Sequence, residues 1–157
     1  MDNNKHNYIE TQAFKYGALM ASALVGFFLL MKAFGLEHNL ELRALNLFIL
    51  VSFVLIPIKK YAKNKPENFV YLKGMGLGLL TSVVGVFIFA SLVMLYITVL
   101  DPSFMEIIQQ REPFGSFLSP LLVGCTIVIE GMASGFLATF AIMQYYKQAH
   151  FVSPLNK

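Results

Sequence analysis

The chain has 157 residues, 57% hydrophobic and 13% charged, with a formal net charge of +3. Soluble domains carry roughly 25% charged residues, so this composition, with its apolar residues gathered in long runs, excludes an ordinary water-soluble domain. The basic residues lie beside apolar segments and not on one patch, which excludes a nucleic-acid surface, and the single cysteine, Cys125, excludes an intramolecular disulfide.

A helix rising ~1.5 Å per residue needs about 20 apolar residues to cross a bilayer core of ~30 Å. Four stretches qualify: residues 14–34, 40–58, 71–100 and 118–146. The expected fold is therefore all-α. A single membrane domain over residues 1–157 holds four transmembrane helices, with the lipid bilayer as its solvent.

Residues 1–12 are polar and predict a short, poorly ordered tail. Lys5 followed by an apolar run with Ala21-Ser22-Ala23 resembles a signal peptide, but the run continues to Met31, so the reading is an uncleaved first span. Within it, Ala18, Ser22 and Gly26 recur at every fourth position, and Gly17 and Ala21 widen the stripe. Such a small-residue face lets two helices approach closely in a membrane. The following connection carries Glu37, His38 and Glu41, a spacing too loose for a metal site, so it reads as a solvated loop.

The second span is bulky, with Phe48, Phe53, Val54, Leu55 and Ile56, and only Ser52 is noted as small. It is expected to face lipid most, and Pro57 is expected to end it. Next come Lys59, Lys60, Lys63, Lys65 and Lys73 against one acid, Glu67. Cytoplasmic loops are rich in Lys and Arg, so this loop is assigned to the inside. Alternation then puts Lys5, Lys15, Lys147 and Lys157 inside as well, and leaves Lys32, Arg43 and Arg111 outside. The expectation is an inner-membrane protein with both termini cytoplasmic.

The third span places Gly74, Gly78 and Ser82 on one face, with Gly76 and Gly85 as further small positions. Gly17, Ser22, Gly26 and Phe28 recur at constant spacing as Gly76, Thr81, Gly85 and Phe87. The second and fourth spans show no such match, so chance similarity is preferred to an internal repeat. Asp101-Pro102 then reads as a helix start, and Ser103 with Glu106 has capping-box spacing. Phe104, Met105, Ile107 and Ile108 alternate with Glu106, Gln109, Gln110 and Arg111. A short interfacial helix ending by Pro113 is predicted in this outer loop.

The fourth span opens with Ser119 as N-cap and Pro120 just inside. Gly124, Gly131 and Gly135 share a packing face. Glu130 lies about 100° round the helix from Gly131, on the side of Ser134.

The Lys15-Tyr16-Gly17 start of the first span, Gly74-Met75-Gly76-Leu77-Gly78, Asp101-Pro102-Ser103-Phe104, and Gly131 to Gly135 running into Tyr146-Lys147 together carry a resemblance. The chain resembles a family of four-span bacterial membrane proteins, found mainly in Bacteroidota and catalogued as domain of unknown function 4199. The resemblance implies a membrane location and a span count, and it supplies no active residues.

Function is read from Glu130. An acid near mid-bilayer costs about 2.5–3.5 kcal/mol on insertion scales, which makes it a candidate site by default. Its expected hydrogen-bond partners are Ser82 or Ser91 on the third span, with Ser134 on its own helix. The preferred reading is a non-enzymatic structural or partner-binding membrane protein, whose small faces pack the bundle, a membrane-protein partner or a second copy. The alternative is a small proton- or cation-coupled transporter using Glu130. No HExxH, GxSxG or P-loop pattern occurs, so no catalytic, metal or cofactor residue is nominated.

Overall fold

The computed structural model describes residues 3–35, 40–64, 70–111 and 114–152. Glu37, His38 and the C-terminal Ser153-Pro154 lie outside them, whereas Glu41, expected in the loop, falls in the first turn of the helix Leu40–Asn64. The described chain is helical: α1 (Asn3–Ala33), α2 (Leu40–Asn64), α3 (Tyr71–Leu95, continued by a π-helical turn, Tyr96–Leu100), α4 (Ser103–Arg111), a 3-10 turn (Gly115–Phe117) and α5 (Pro120–Val152). Four segments are long and apolar enough to cross a membrane: Tyr8–Ala33, Ala44–Lys63, Tyr71–Leu100 and Pro120–Lys147.

The central helix is α3, which packs along α1 on one side and α5 on the other, while α2 touches all three. Lys32 at the end of α1 reaches Asp101 just beyond α3, so these two helices run parallel. Gln144 of α5 donates to the Tyr71 hydroxyl at the start of α3 at 3.2 Å, so α5 runs the other way. The bundle therefore has a lysine-rich end, with Lys59, Lys60 and Lys63 closing α2, and an opposite end that carries α4.

Glycines set the closest helix approaches. A Cβ on Gly78 would lie 2.6 Å from Thr139 Cγ2 and 2.9 Å from Ile58 Cδ1. One on Gly131 would lie 2.7 Å from both Val86 methyls, and one on Gly135 2.5 Å from Ser82 Oγ. Gly74 is buried, and Gly124 is looser, with Met94 Sδ at 3.6 Å. The α1–α3 contact uses Gly17, whose Cβ would lie 2.8 Å from Val84 Cγ1, and Gly85, which faces Met20.

Several expectations are corrected here. Ala18 and Ser22 are exposed, and Gly26 has open space beside it; the buried face of α1 is the neighbouring one, Gly17, Met20, Ala21 and Leu24. Rotation by one residue moves a side chain about 100° round the helix, which is the whole difference between the two stripes. Gly76 is exposed where its counterpart Gly17 is buried, which agrees with chance similarity and not with an internal repeat. Pro57 does not end α2; it is buried, and the helix runs on to Asn64. Proline inside a membrane helix is tolerated where neighbouring helices enclose the freed backbone. Nor is α2 the most lipid-facing span: 28% of its apolar 18-residue stretch is buried, against 17% of that of α5 and 22% of that of α1. Finally, α1 starts at Asn3, because Tyr8 and Ile9 pack on Ala13, Tyr61 and Leu77.

Candidate functional site: a cavity at the α4 end

At the lysine-rich end, Ile58, Leu77, Thr139 and Met143 are fully buried and fill the space between α2, α3 and α5. At the α4 end the same helices leave a cavity of about 560 Å³. Its walls come from every span: Phe27 and Phe28 of α1, Asn46 and Leu50 of α2, Val86 and Phe89 of α3, and Ile127 and Glu130 of α5. Phe104 and Ile108 of α4 and Phe114 beyond it close one end. Phe114 adopts the left-handed conformation at φ 63°, which is strained for a bulky residue.

The polar groups of this wall come mainly from α5. Thr126, Glu130 and Ser134 recur at every fourth position and line the cavity as one stripe. The Thr126 hydroxyl donates to its own helix at Leu122 O, 2.9 Å away, so it offers lone pairs to the cavity. Glu130 is exposed at the cavity's rim and not buried as expected. Opposite, α2 contributes Asn46, whose Oδ1 is buried and accepts no hydrogen bond among the described residues. The sequence reading passed over Asn46. Its signal was available: an amide between Leu45 and Leu47 carries a desolvation cost that an apolar helix does not otherwise accept.

Ser134 sits beside Glu130 on the wall, but the two serines nominated on the third span do not. Ser82 is buried against Gly135 and donates to Gly78 O at 3.0 Å. Ser91 faces outward and donates to Phe87 O at 2.8 Å. Both satisfy their hydroxyls within their own helix, on faces turned away from the cavity wall.

A polar and aromatic junction closes the cavity's α4 end. Lys32 Nζ donates to Asp101 Oδ2 and to the Tyr96 hydroxyl. It also lies 4.5 Å from the Tyr96 ring centroid and 5.5 Å from that of Phe104. Phe28 meets Tyr96 and Phe104 edge to face, with centroids 5.4 and 5.9 Å apart. The π turn builds this geometry: Asp101 N bonds Tyr96 O at 3.0 Å and aims both residues at α1. The second Asp101 oxygen accepts from Phe104 N at 3.2 Å and so caps α4. The Lys32 hydrogen bond, then its charge and the Phe104 and Ser103 N–H groups, hold the Asp101 carboxyl below its ordinary range despite some desolvation. Sequence reading had treated Lys32 as a flanking charge and Asp101 as a cap, and it missed their pairing across the bundle.

α4 itself buries Phe104 and Met105 and exposes Glu106, Gln109 and Gln110. Gln109 ties it to the start of α5 through Leu118 O at 2.9 Å. Among the described residues no group of three His, Cys, Asp or Glu side chains could hold a metal ion.

Residues 15–113 match the family described as Protein of unknown function (DUF4199). The match takes in Lys32, Asn46 and Asp101 and stops before the Thr126–Glu130–Ser134 stripe. No curated protein and no solved structure matches the chain.

Proposed function

The chain belongs to the DUF4199 family, whose description carries no activity, and from that premise we propose that it is a non-enzymatic binding protein of the bacterial inner membrane that takes a hydrophobic ligand into the cavity at its α4 end. One observation carries this reading: a space of about 560 Å³ walled by all four spans and bearing a few polar groups. Ligand pockets have this size and this mixture of walls. The space opens to the surface of the bundle, where its lining residues Leu47, Phe114, Thr126 and Glu130 are exposed, so a molecule from the surrounding bilayer can enter it.

The test uses the full chain in lipid nanodiscs and a neutral hydrophobic fluorophore. Leu47 of α2 also lines the space, and saturable binding that is lost when Leu47→Trp fills that wall supports the reading. Equal binding by wild type and Leu47→Trp overturns it.

The position of Glu130 on the wall favours a second reading, proton- or cation-coupled transport. Glutamine keeps the hydrogen bonding but cannot release a proton. Proteoliposomes that move protons with the wild type but not with folded Glu130→Gln would support this reading, and absence of flux with the wild type would remove it.

The basic residues favour cytoplasmic termini, which puts α4 and the cavity toward the outer side. In a Cys125→Ser background, a cysteine at Glu106 should react with an impermeant maleimide from outside, and one at Lys63 should not. The reverse pattern inverts the topology.

A further inference from the structure

We infer that the lysine-rich end of the bundle is a collar that binds anionic phospholipids through their phosphate headgroups. It lies opposite the cavity and does not depend on what the cavity holds. Every span contributes to it. Lys15 of α1, Lys59, Lys60 and Lys63 of α2, Lys73 of α3 and Lys147 of α5 all lie inside the apolar membrane-crossing segments and not in the loops between them. Gly78 meets Ile58 and Thr139, and its neighbour Leu77 packs with Ala13, so these residues mark one level of the bundle. Counted from that level at ~1.5 Å per residue, the lysine positions fall within a band of about 15 Å. Headgroup layers several ångströms deep flank the ~30 Å hydrocarbon core, and the flexible four-carbon stem of lysine carries its charge to them.

Charge separates this end from the other. None of these six lysines makes an ion pair or a side-chain hydrogen bond among the described residues, and all but the half-buried Lys73 are exposed. Lys32, at the α4 end, is instead committed to Asp101 and Tyr96. Among the described residues of the lysine-rich end Glu10 is the one acid. An ammonium at the end of an apolar span needs a counter-charge at membrane depth, and a lipid phosphate supplies it. Aromatic residues mark the same level. Six of the seven tyrosines lie at this end, among them the exposed Tyr145, and only Tyr96 lies at the other. Tyrosine rings gather where headgroups begin. A water-soluble acidic protein is a poorer match, because these charges sit on the span ends and not on projecting loops.

The experiment uses the full-length protein in a neutral detergent and two tail-labelled fluorescent lipids of matched chains, phosphatidylglycerol and phosphatidylcholine, with binding read as anisotropy. The wild type should bind phosphatidylglycerol roughly tenfold more tightly, since each lysine near a headgroup is worth about fivefold. Lys59→Gln/Lys60→Gln should lose most of that preference, and Lys59→Arg/Lys60→Arg should keep it. Lys147→Gln, on a separate helix, should lower it roughly threefold. Added salt should weaken phosphatidylglycerol alone. Equal affinity for the two lipids, or a preference that survives both glutamine variants, would overturn the proposal. So would displacement of phosphatidylglycerol by inorganic phosphate or soluble polyglutamate beyond that caused by chloride at equal ionic strength, because the site would then belong to free phosphate or to an acidic protein.

Discussion

Where Gly78 faces Thr139 and Ile58, no atom larger than hydrogen fits between the helices. Further along the same bundle, Asn46, Phe89 and Glu130 face one another across about 560 Å³. The two ends share four helices and one apolar composition, so hydropathy does not separate them. What separates them is the size of the facing side chains. Lipid tails are as apolar as leucine, so helices gain from contact in a membrane mainly by close packing. Gly78, Gly131 and Gly135 supply that contact, and above them Phe27, Phe28 and Leu50 leave space that they do not fill. The packed end carries the close helix contacts, and the open end carries Asn46, Thr126, Glu130 and Ser134.

The largest break in this contrast comes from Gly78→Leu. It forces a branched side chain into Thr139 and Ile58 and should cost about 3 kcal/mol or more, read as loss of the folded peak in detergent chromatography and a lowered melting temperature.

A smaller change is expected at the junction over the cavity. Asp101 has a depressed folded pKa, so its pairing contributes stability fully above the unfolded carboxyl value of about 3.9. That contribution is lost as pH falls through the lower folded value. Lys32→Ala should therefore lower the melting temperature at neutral pH and flatten its decline below about pH 4. An unchanged acid limb would count against the pair.

Asn46→Leu removes a buried acceptor that has no partner among the described residues. Stability should hold or rise by up to ~1 kcal/mol. A destabilised variant would show that Asn46 serves the fold.

The smallest effect is expected for Gly26→Leu, which meets open space. It should shift stability by no more than ~0.5 kcal/mol. A large loss, or a change in oligomeric state, would reveal that the exposed Ala18–Ser22–Gly26 face is covered by another chain.

The spans, the central glycines of α3 and the helix starts were legible because they follow local rules. Ser119 Oγ accepts from Leu122 N at 3.3 Å as an N-cap should, and the α4 helix appears between Pro102 and Pro113 where its alternation placed it. Rotation about each helix axis was not legible. Lipid and protein are both apolar, so burial leaves no clear mark on one face of a span. Two adjacent small stripes on α1 looked equivalent, and only Gly17 fits under Val84. The same ambiguity put Ser82 and Ser91 beside Glu130 in expectation, whereas each turns to its own helix carbonyl. Pairings distant in sequence, such as Lys32 with Asp101, had no local signature beyond two charges at the ends of two spans.

Ser134 and Gly135 put the contrast between packed and open surfaces on neighbouring positions of one helix. Ser134 lines the cavity, and a Cβ on Gly135 would lie 2.5 Å from Ser82 Oγ. The most direct test is the melting temperature of Ser134→Leu beside Gly135→Leu, with neutral-probe binding measured on whatever remains folded. The account predicts that Gly135→Leu loses the fold, while Ser134→Leu melts near the wild type and binds the probe poorly because its cavity is filled. Equal destabilisation by the two, or full probe binding by Ser134→Leu, would contradict it.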